Sequence, residues 1–283
     1  MNRASDANKL STGYRQVMNS FSTPKCPHFA VCSGCEIFLD ETPRAWKEIV
    51  EFFHSLSLEP LLEAGKPLHW RLKAKLAVRE GKDGPIIGLF KKGTHEAVSI
   101  PQCLVHHPSI NQGVSYLSKM LLRENLSIYN EEKGTGLLRY AQFFAHRQSG
   151  ALQLSLVVNS EILSKEIEKL SKHFSGDLWH SLWVNFHPAG DNRVLGSRWQ
   201  KLAGEPWFCQ PFLGELIPFH PGAFSQANLE LFEKLCQHIR SWILPSDRVV
   251  ELVAGVGVIG TSCLAFCKKV LLVENSAFAA VSF

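Results

Sequence analysis

Cys26, Cys32 and Cys35 stand in Cys-Pro-His-Phe-Ala-Val-Cys-Ser-Gly-Cys, a C-x5-C-x2-C spacing that suits a metal or iron-sulfur site better than a packed core. Three thiolates leave such a site one ligand short. Cys103, two residues after Pro101 at the end of a basic, strand-like stretch, is the best candidate for the fourth. Four thiolates are the usual complement of an iron-sulfur cluster or a structural zinc; the competing reading is a set of ordinary reduced cysteines. His28 lies inside the cysteine loop and His106-His107 follow Cys103, so a mixed Cys/His zinc site is a further alternative.

A second group with chemical meaning lies near the other end. Asp247 to Val253 reads as a buried strand, Gly255-Val256-Gly257-Val258-Ile259-Gly260 as a glycine loop opening a helix, and Lys269 to Glu274 as a second strand that ends in an acid. This is one β-α-β unit. Glycines let the backbone approach a bound nucleotide, and an acid at the tip of the second strand is placed for ribose hydroxyls. That pattern fits NAD as well as S-adenosylmethionine. Glu251, four residues before the first glycine, favours the latter.

Third is a run of cations. Arg71, Lys73 and Lys75 alternate with Leu72, Ala74 and Leu76, as on a half-exposed strand, within a stretch rich in lysine. Such a row can track an RNA phosphate backbone, or it can simply be a solvated sheet face.

The elements that must position these residues follow from periodicity. Residues 36 to 65 are acidic and read as a solvated helix, with Trp46, Ile49, Val50 and Phe53 on one face. Leu138 to His146 and Ala151 to Val158 read as a hairpin across Arg147-Gln148-Ser149-Gly150. An amphipathic helix from Glu161 to His173, a strand from Ser181 to Phe186, glycine-containing turns (Ala189-Gly190-Asp191-Asn192 among them) and a helix from Leu229 to Trp242 follow. Residues 1–25 form a polar leader, 26–220 an α+β domain that carries the cysteine site, and 221–283 the start of a Rossmann-like α/β domain.

With 283 residues, 45% of them hydrophobic, and a net charge of +4, the chain is expected to be a soluble globular protein. It has neither a secretory leader nor a run long enough to span a membrane, so a cytoplasmic location is expected, where its eight cysteines stay reduced.

The cysteine cadence, the segment Phe224-Ser225-Gln226-Ala227-Asn228 and the glycine loop, in that order, resemble the RNA (uracil-5-)-methyltransferase family from about Cys26 to the end of the chain. The resemblance implies a [4Fe-4S] cluster on Cys26, Cys32, Cys35 and Cys103. It also implies S-adenosylmethionine contacts from Gln226 and Glu274 above a shelf of Val253, Gly255 and Gly257, and Phe224 at the methyl-transfer site against the RNA. Ribosomal RNA is the expected substrate ahead of transfer RNA.

The chain departs from the family where Val253 and Ala254 replace a frequent aromatic and cysteine, which leaves the shelf looser. The short leader leaves no room for the small N-terminal barrel of some members. Family chemistry adds a cysteine thiolate to uracil C6 before C5 takes the methyl group. No residue here matches that nucleophile or the general base, Cys263 and Cys267 reading as core packing. No catalytic residue is assigned, and the expectation is a truncated enzyme or one completed by a second polypeptide, inactive by itself. The two strands of the β-α-β unit should leave an open edge and a bare apolar face. A non-catalytic RNA-binding module built on a metal-thiolate site is the alternative.

Overall fold

The computed structural model describes residues 25–35, 44–60, 63–188 and 193–282. Most of the polar leader, the acids before Arg44 and the Ala189–Asn192 turn lie outside them. The acidic helix is the shorter α1 (Arg44–Ser55), with Trp46, Val50 and Phe53 half-buried and Ile49 exposed.

A seven-stranded sheet is the framework. Its strands are β1 (Lys73–Gly81), β2 (Gly84–Phe90), β3 (Ala97–Ser99), β4 (Leu138–Ala145), β5 (Leu152–Val158), β6 (Trp179–Phe186) and β7 (Arg198–Gly204), in the order β3-β2-β1-β4-β5-β6-β7. All neighbours are antiparallel except β5 and β6, which run parallel. The parallel step needs a crossover, supplied by the helix Lys165–Ser171. That helix is shorter than expected because Ser164 caps it, its hydroxyl accepting the Ile167 N–H at 3.3 Å.

One face of the sheet is apolar throughout: Leu76, Phe143, Leu154, Leu156 and Val184 are at most 1% exposed. It is covered by α2 (Pro108–Glu124), which buries Ile110, Val114, Leu117 and Leu121. The sequence reading missed this helix. Gly113 sits in its middle, where glycine costs about 1 kcal/mol, but four buried aliphatic side chains at about 2 kcal/mol each outweigh that. The glycine is needed for close approach: a Cβ there would fall 2.5 Å from Leu152 Cδ1.

The opposite face is polar and also covered. Lys73, Gln142, Gln153, Ser155 and Ser181 point to this side and are each less than a tenth exposed. The cover is the hairpin β8 (Phe208–Phe212) and β9 (Glu215–Phe219) with the loop that follows it. Phe208 and Phe219 pack on Phe144 at ring distances of 4.9 and 5.5 Å. This corrects the expected half-exposed cationic strand. Lys73 is 8% exposed and cannot lie along a phosphate backbone.

The last part is smaller. α3 is the crossover helix named above; α4 (Leu229–Arg240) leads to β10 (Arg248–Leu252), α5 (Val258–Cys263) and β11 (Lys269–Val273), with β10 and β11 parallel. α4 is capped by Asn228, whose Oδ1 accepts the Leu231 N–H at 3.0 Å. One face of the strand pair packs on α5; on the other, Val250, Leu252, Leu271 and Val273 are between 45 and 70% exposed. The bare apolar face expected from the sequence is present.

Candidate functional site

The cysteine loop is a compact turn. The Cys32 N–H donates to the His28 carbonyl at 2.8 Å, the Gly34 N–H to Cys32 Sγ at 3.3 Å, and the Ser33 hydroxyl to the Phe90 carbonyl at 2.7 Å, which ties the loop to the end of β2. Cys103 follows β3, its carbonyl accepting from Asn111 Nδ2 of α2 at 2.9 Å.

The four sulfurs are within electrostatic reach of one another. Partial desolvation pushes the Cys35 thiol up, the Cys103, Cys32 and Cys26 groups push it further, and Arg71 opposes them. Burial raises the Cys103 thiol as well, against hydrogen bonds from the His106 and Val105 backbones that favour its thiolate. Backbone N–H groups aimed at Cys32 and Cys103 are what a metal thiolate needs. Among the described residues, however, no group of three or more His, Cys, Asp or Glu is drawn together closely enough to hold a metal ion.

The histidines are accounted for separately. His106 is 3% exposed, and burial followed by the Arg71 charge brings its pKa down to about 4. Burial also lowers that of His28. Arg71 therefore stands beside the cysteine site, its guanidinium 4.9 Å from the Trp70 ring centre, and not in an open cationic row.

The loop between β9 and α4 is pinned to the polar sheet face by long-range bonds. Lys73 Nζ donates to the Ala223 carbonyl at 2.8 Å, Gln142 Nε2 to the Pro221 carbonyl at 2.9 Å, and the Leu72 N–H to the Ala227 carbonyl at 2.9 Å. This clamp leaves Phe224 70% exposed and Gln226 exposed, presented outward from a fixed backbone. Lys73 is held by burial, with Lys75 nearby, at a pKa of about 7. His220, lowered to about 4 by burial and then by Lys73, stacks on Phe278 at 4.9 Å and 11°. Phe278 belongs to α6 (Ala277–Ala280), just past the end of β11. The stack therefore brings the Phe224–Asn228 segment and the strand-end acid to the same part of the molecule.

The glycine loop has the expected form. Gly255 and Gly257 take φ of +59° and +71°, a region favourable only to glycine, and a Cβ on Gly255 would meet nothing within 4 Å, so open space lies over it. Glu274 closes the loop: Oε2 accepts the Gly255 N–H at 2.7 Å, and Oε1 accepts the Ser276 and Asn275 N–H groups at 2.7 and 2.9 Å. These bonds hold the carboxyl below its ordinary range, hence ionised. Glu251, by contrast, turns under α5, where its Oε2 accepts the Gly260 N–H at 2.6 Å. Its position fits a support of the loop.

Val253 is 85% exposed at φ +56°, a left-handed conformation that a β-branched residue adopts only under strain. Val253→Asn, which tolerates this geometry, is expected to raise the unfolding free energy by about 1 kcal/mol, as read by denaturant titration; no gain would place the strain elsewhere. Cys263 is buried, and Cys267 Sγ lies 3.6 Å from the Lys269 carbonyl, both within the packing around α5. Among the described residues no helix is long and apolar enough to cross a membrane.

No protein-family model matches the chain. Among curated proteins it is 45% identical over 250 residues to an uncharacterized RNA methyltransferase of Protochlamydia amoebophila, covering 86% of this chain and 65% of that protein. It is 27% identical over 252 residues to one of Bacillus cereus, covering 83% and 54%. The chain thus spans about half to two thirds of the length of these relatives. Among solved structures it resembles the Pyrococcus abyssi tRNA (uracil-54, C5)-methyltransferase in complex with S-adenosyl-L-homocysteine, with a TM-score of 0.67 at 19% identity over 84% of this chain and 58% of that one. The fold is therefore shared with that protein, and the sequence match at 45% goes further: the chain belongs to the family of RNA methyltransferases.

Proposed function

We propose that this chain is part of an S-adenosylmethionine-dependent enzyme that methylates C5 of a uridine in RNA, ribosomal RNA ahead of transfer RNA, in the cytoplasm. The observation that carries the reading is the clamp on the loop after β9. Three hydrogen bonds fix the backbone between Pro221 and Ala227, so that Phe224 and Gln226 project from a rigid base, and the His220–Phe278 stack links the start of that loop to the helix just after Glu274. Placing a methyl donor against a base demands that kind of preorganisation. The named activity of the Pyrococcus abyssi protein, at C5 of uracil, supports the same chemistry.

The open space over Gly255 and the ionised, backbone-held Glu274 fit S-adenosylmethionine, with Gln226 and Val253 at its edges. The cofactor would supply the methyl group. Cys26, Cys32, Cys35 and Cys103 are proposed as the ligands of an iron-sulfur cluster on the strength of the thiolate-favouring N–H donors to Cys32 and Cys103, and the cluster would draw together sulfurs that are not yet at ligand spacing. The thiolate that must add to uracil is proposed to come from a second polypeptide or from a segment homologous to the rest of the longer relatives. Cys236 does not suit that role, because burial pushes its thiol up to about 11.

Calorimetric titration of anaerobically prepared protein with S-adenosylhomocysteine tests the cofactor half. One site per chain is expected, lost in Gly255→Val, whose side chain forces φ out of the left-handed region. Filter binding with unmodified ribosomal and transfer RNA tests the substrate half. Failure to bind the cofactor and either RNA would end the reading.

A further inference from the structure

A cavity of about 400 Å³ opens on the polar face of the sheet where β1, β2 and β4 meet, away from the glycine loop. Lys75, Arg139 and Arg193 line it with the rings of Phe90 and Tyr140, and Glu131 is its one carboxylate among the described residues. That acid is already engaged, with Arg79 Nη2 and His95 Nδ1 both 3.2 Å from its Oε2. Arg139 is 5% exposed; one of its Nη atoms donates to the His187 carbonyl at 2.8 Å, while its buried Nε finds no acceptor among the described residues. Lys75 has no hydrogen bond or ion pair among the described residues.

We infer that this cavity receives one nucleotide of the RNA substrate, its phosphodiester between Lys75 and Arg139 and its base against Tyr140 or Phe90. The inference rests on the RNA reading above and adds a second contact point beside the clamped loop, since Lys75 pairs across β1 and β4 with Gln142, which holds the Pro221 carbonyl. A cavity of this size exceeds what a phosphate alone fills, and aromatic rings beside cations are the usual lining for single-stranded nucleic acid. The same burial that removes Lys73 from the cationic row leaves Lys75 as the member of it that reaches solvent.

The test uses the full chain and a fluorescein-labelled 12-nucleotide single-stranded RNA. Lys75→Met, an exposed change, is expected to lower the salt slope of binding by about 0.7 and so weaken binding about fivefold per decade of salt below 1 M. Lys119→Met on α2, remote from the cavity, should change neither. In parallel, RNA should slow acylation of Lys75 by an N-hydroxysuccinimide ester, read by mass spectrometry, and leave Lys119 unaffected. Equal protection by inorganic phosphate would mean a free-anion site and overturn the assignment to RNA. RNA binding with an unchanged slope and no protection of Lys75 would overturn the cavity alone. A parent protein that binds no RNA would bring down the proposed function, and the cavity with it.

Discussion

Cys103→Ser is expected to strip the protein of iron. Purified without oxygen, the parent should be brown and carry about four iron and four sulfide per chain, the composition of a [4Fe-4S] cluster. Cys103 is the proposed fourth ligand, the one that comes from outside the Cys26–Cys35 loop. It leaves β3, its carbonyl is fixed by Asn111, and backbone N–H groups of Val105 and His106 favour its thiolate. Serine keeps the size and removes the soft donor, so metal and colour should go together. Cys236→Ser should keep both, because that thiol lies on the buried side of α4, outside the cysteine loop. Structural metal-thiolate sites bind with on the order of 10 kcal/mol of apparent free energy. The Cys103→Ser protein should therefore also melt well below the parent. Stoichiometric zinc with neither iron nor sulfide would leave the thiolate site and remove the cluster.

The second large effect is a dependence of stability on pH set by Lys73. Its pKa is about 7 in the folded protein against 10.5 for a free side chain. Between those values the unfolded chain holds a proton that the folded one has released, so the unfolded state binds more protons and stability rises with pH. Below about pH 7 both states are protonated and the fold carries a buried ammonium at full cost. Above about 10.5 neither is, and the cost is gone. The whole interval is worth on the order of 5 kcal/mol. The Ala223 carbonyl and the Phe144 ring, 5.1 Å from Nζ, offset part of that cost.

Between pH 7 and 8.5, below the range of the raised thiols, the parent should gain about 1–2 kcal/mol in denaturant titrations under anaerobic conditions. Lys73→Met should flatten this rise. It should also loosen the Pro221–Ala227 loop, seen as faster amide exchange at Ala223 and its neighbours. Equal slopes in parent and variant would assign the pH dependence to other groups.

What the sequence determined is local chemistry. The C-x5-C-x2-C cadence, the Phe224-x-Gln226-x-Asn228 segment, and the glycines and acid of the β-α-β unit are legible because each acts through neighbours a few residues away. Gly257 must cap α5 at positive φ, Asn228 must cap α4, and Glu274 must meet the loop of its own unit. The bare face of β10 and β11 was equally legible, since two strands of a doubly wound sheet cannot cover both their sides, and the register puts Val250, Leu252, Leu271 and Val273 on the uncovered one.

Only the tertiary structure decided which polar residues meet solvent. Lys73 reads as one of three exposed cations until a carbonyl 150 residues away, at Ala223, settles over it with the hairpin of Phe208 and Phe219. Arg71 reads the same way and instead stands beside the cysteines. α2 escaped detection because its glycine is explained by the sheet it packs on and not by its own sequence. The cavity under Lys75 and Arg139 is made by three strands whose register no local pattern encodes. Long-range packing chooses among the faces that local periodicity makes available, and here it turned one cation of a row inward and left the next at the mouth of a cavity.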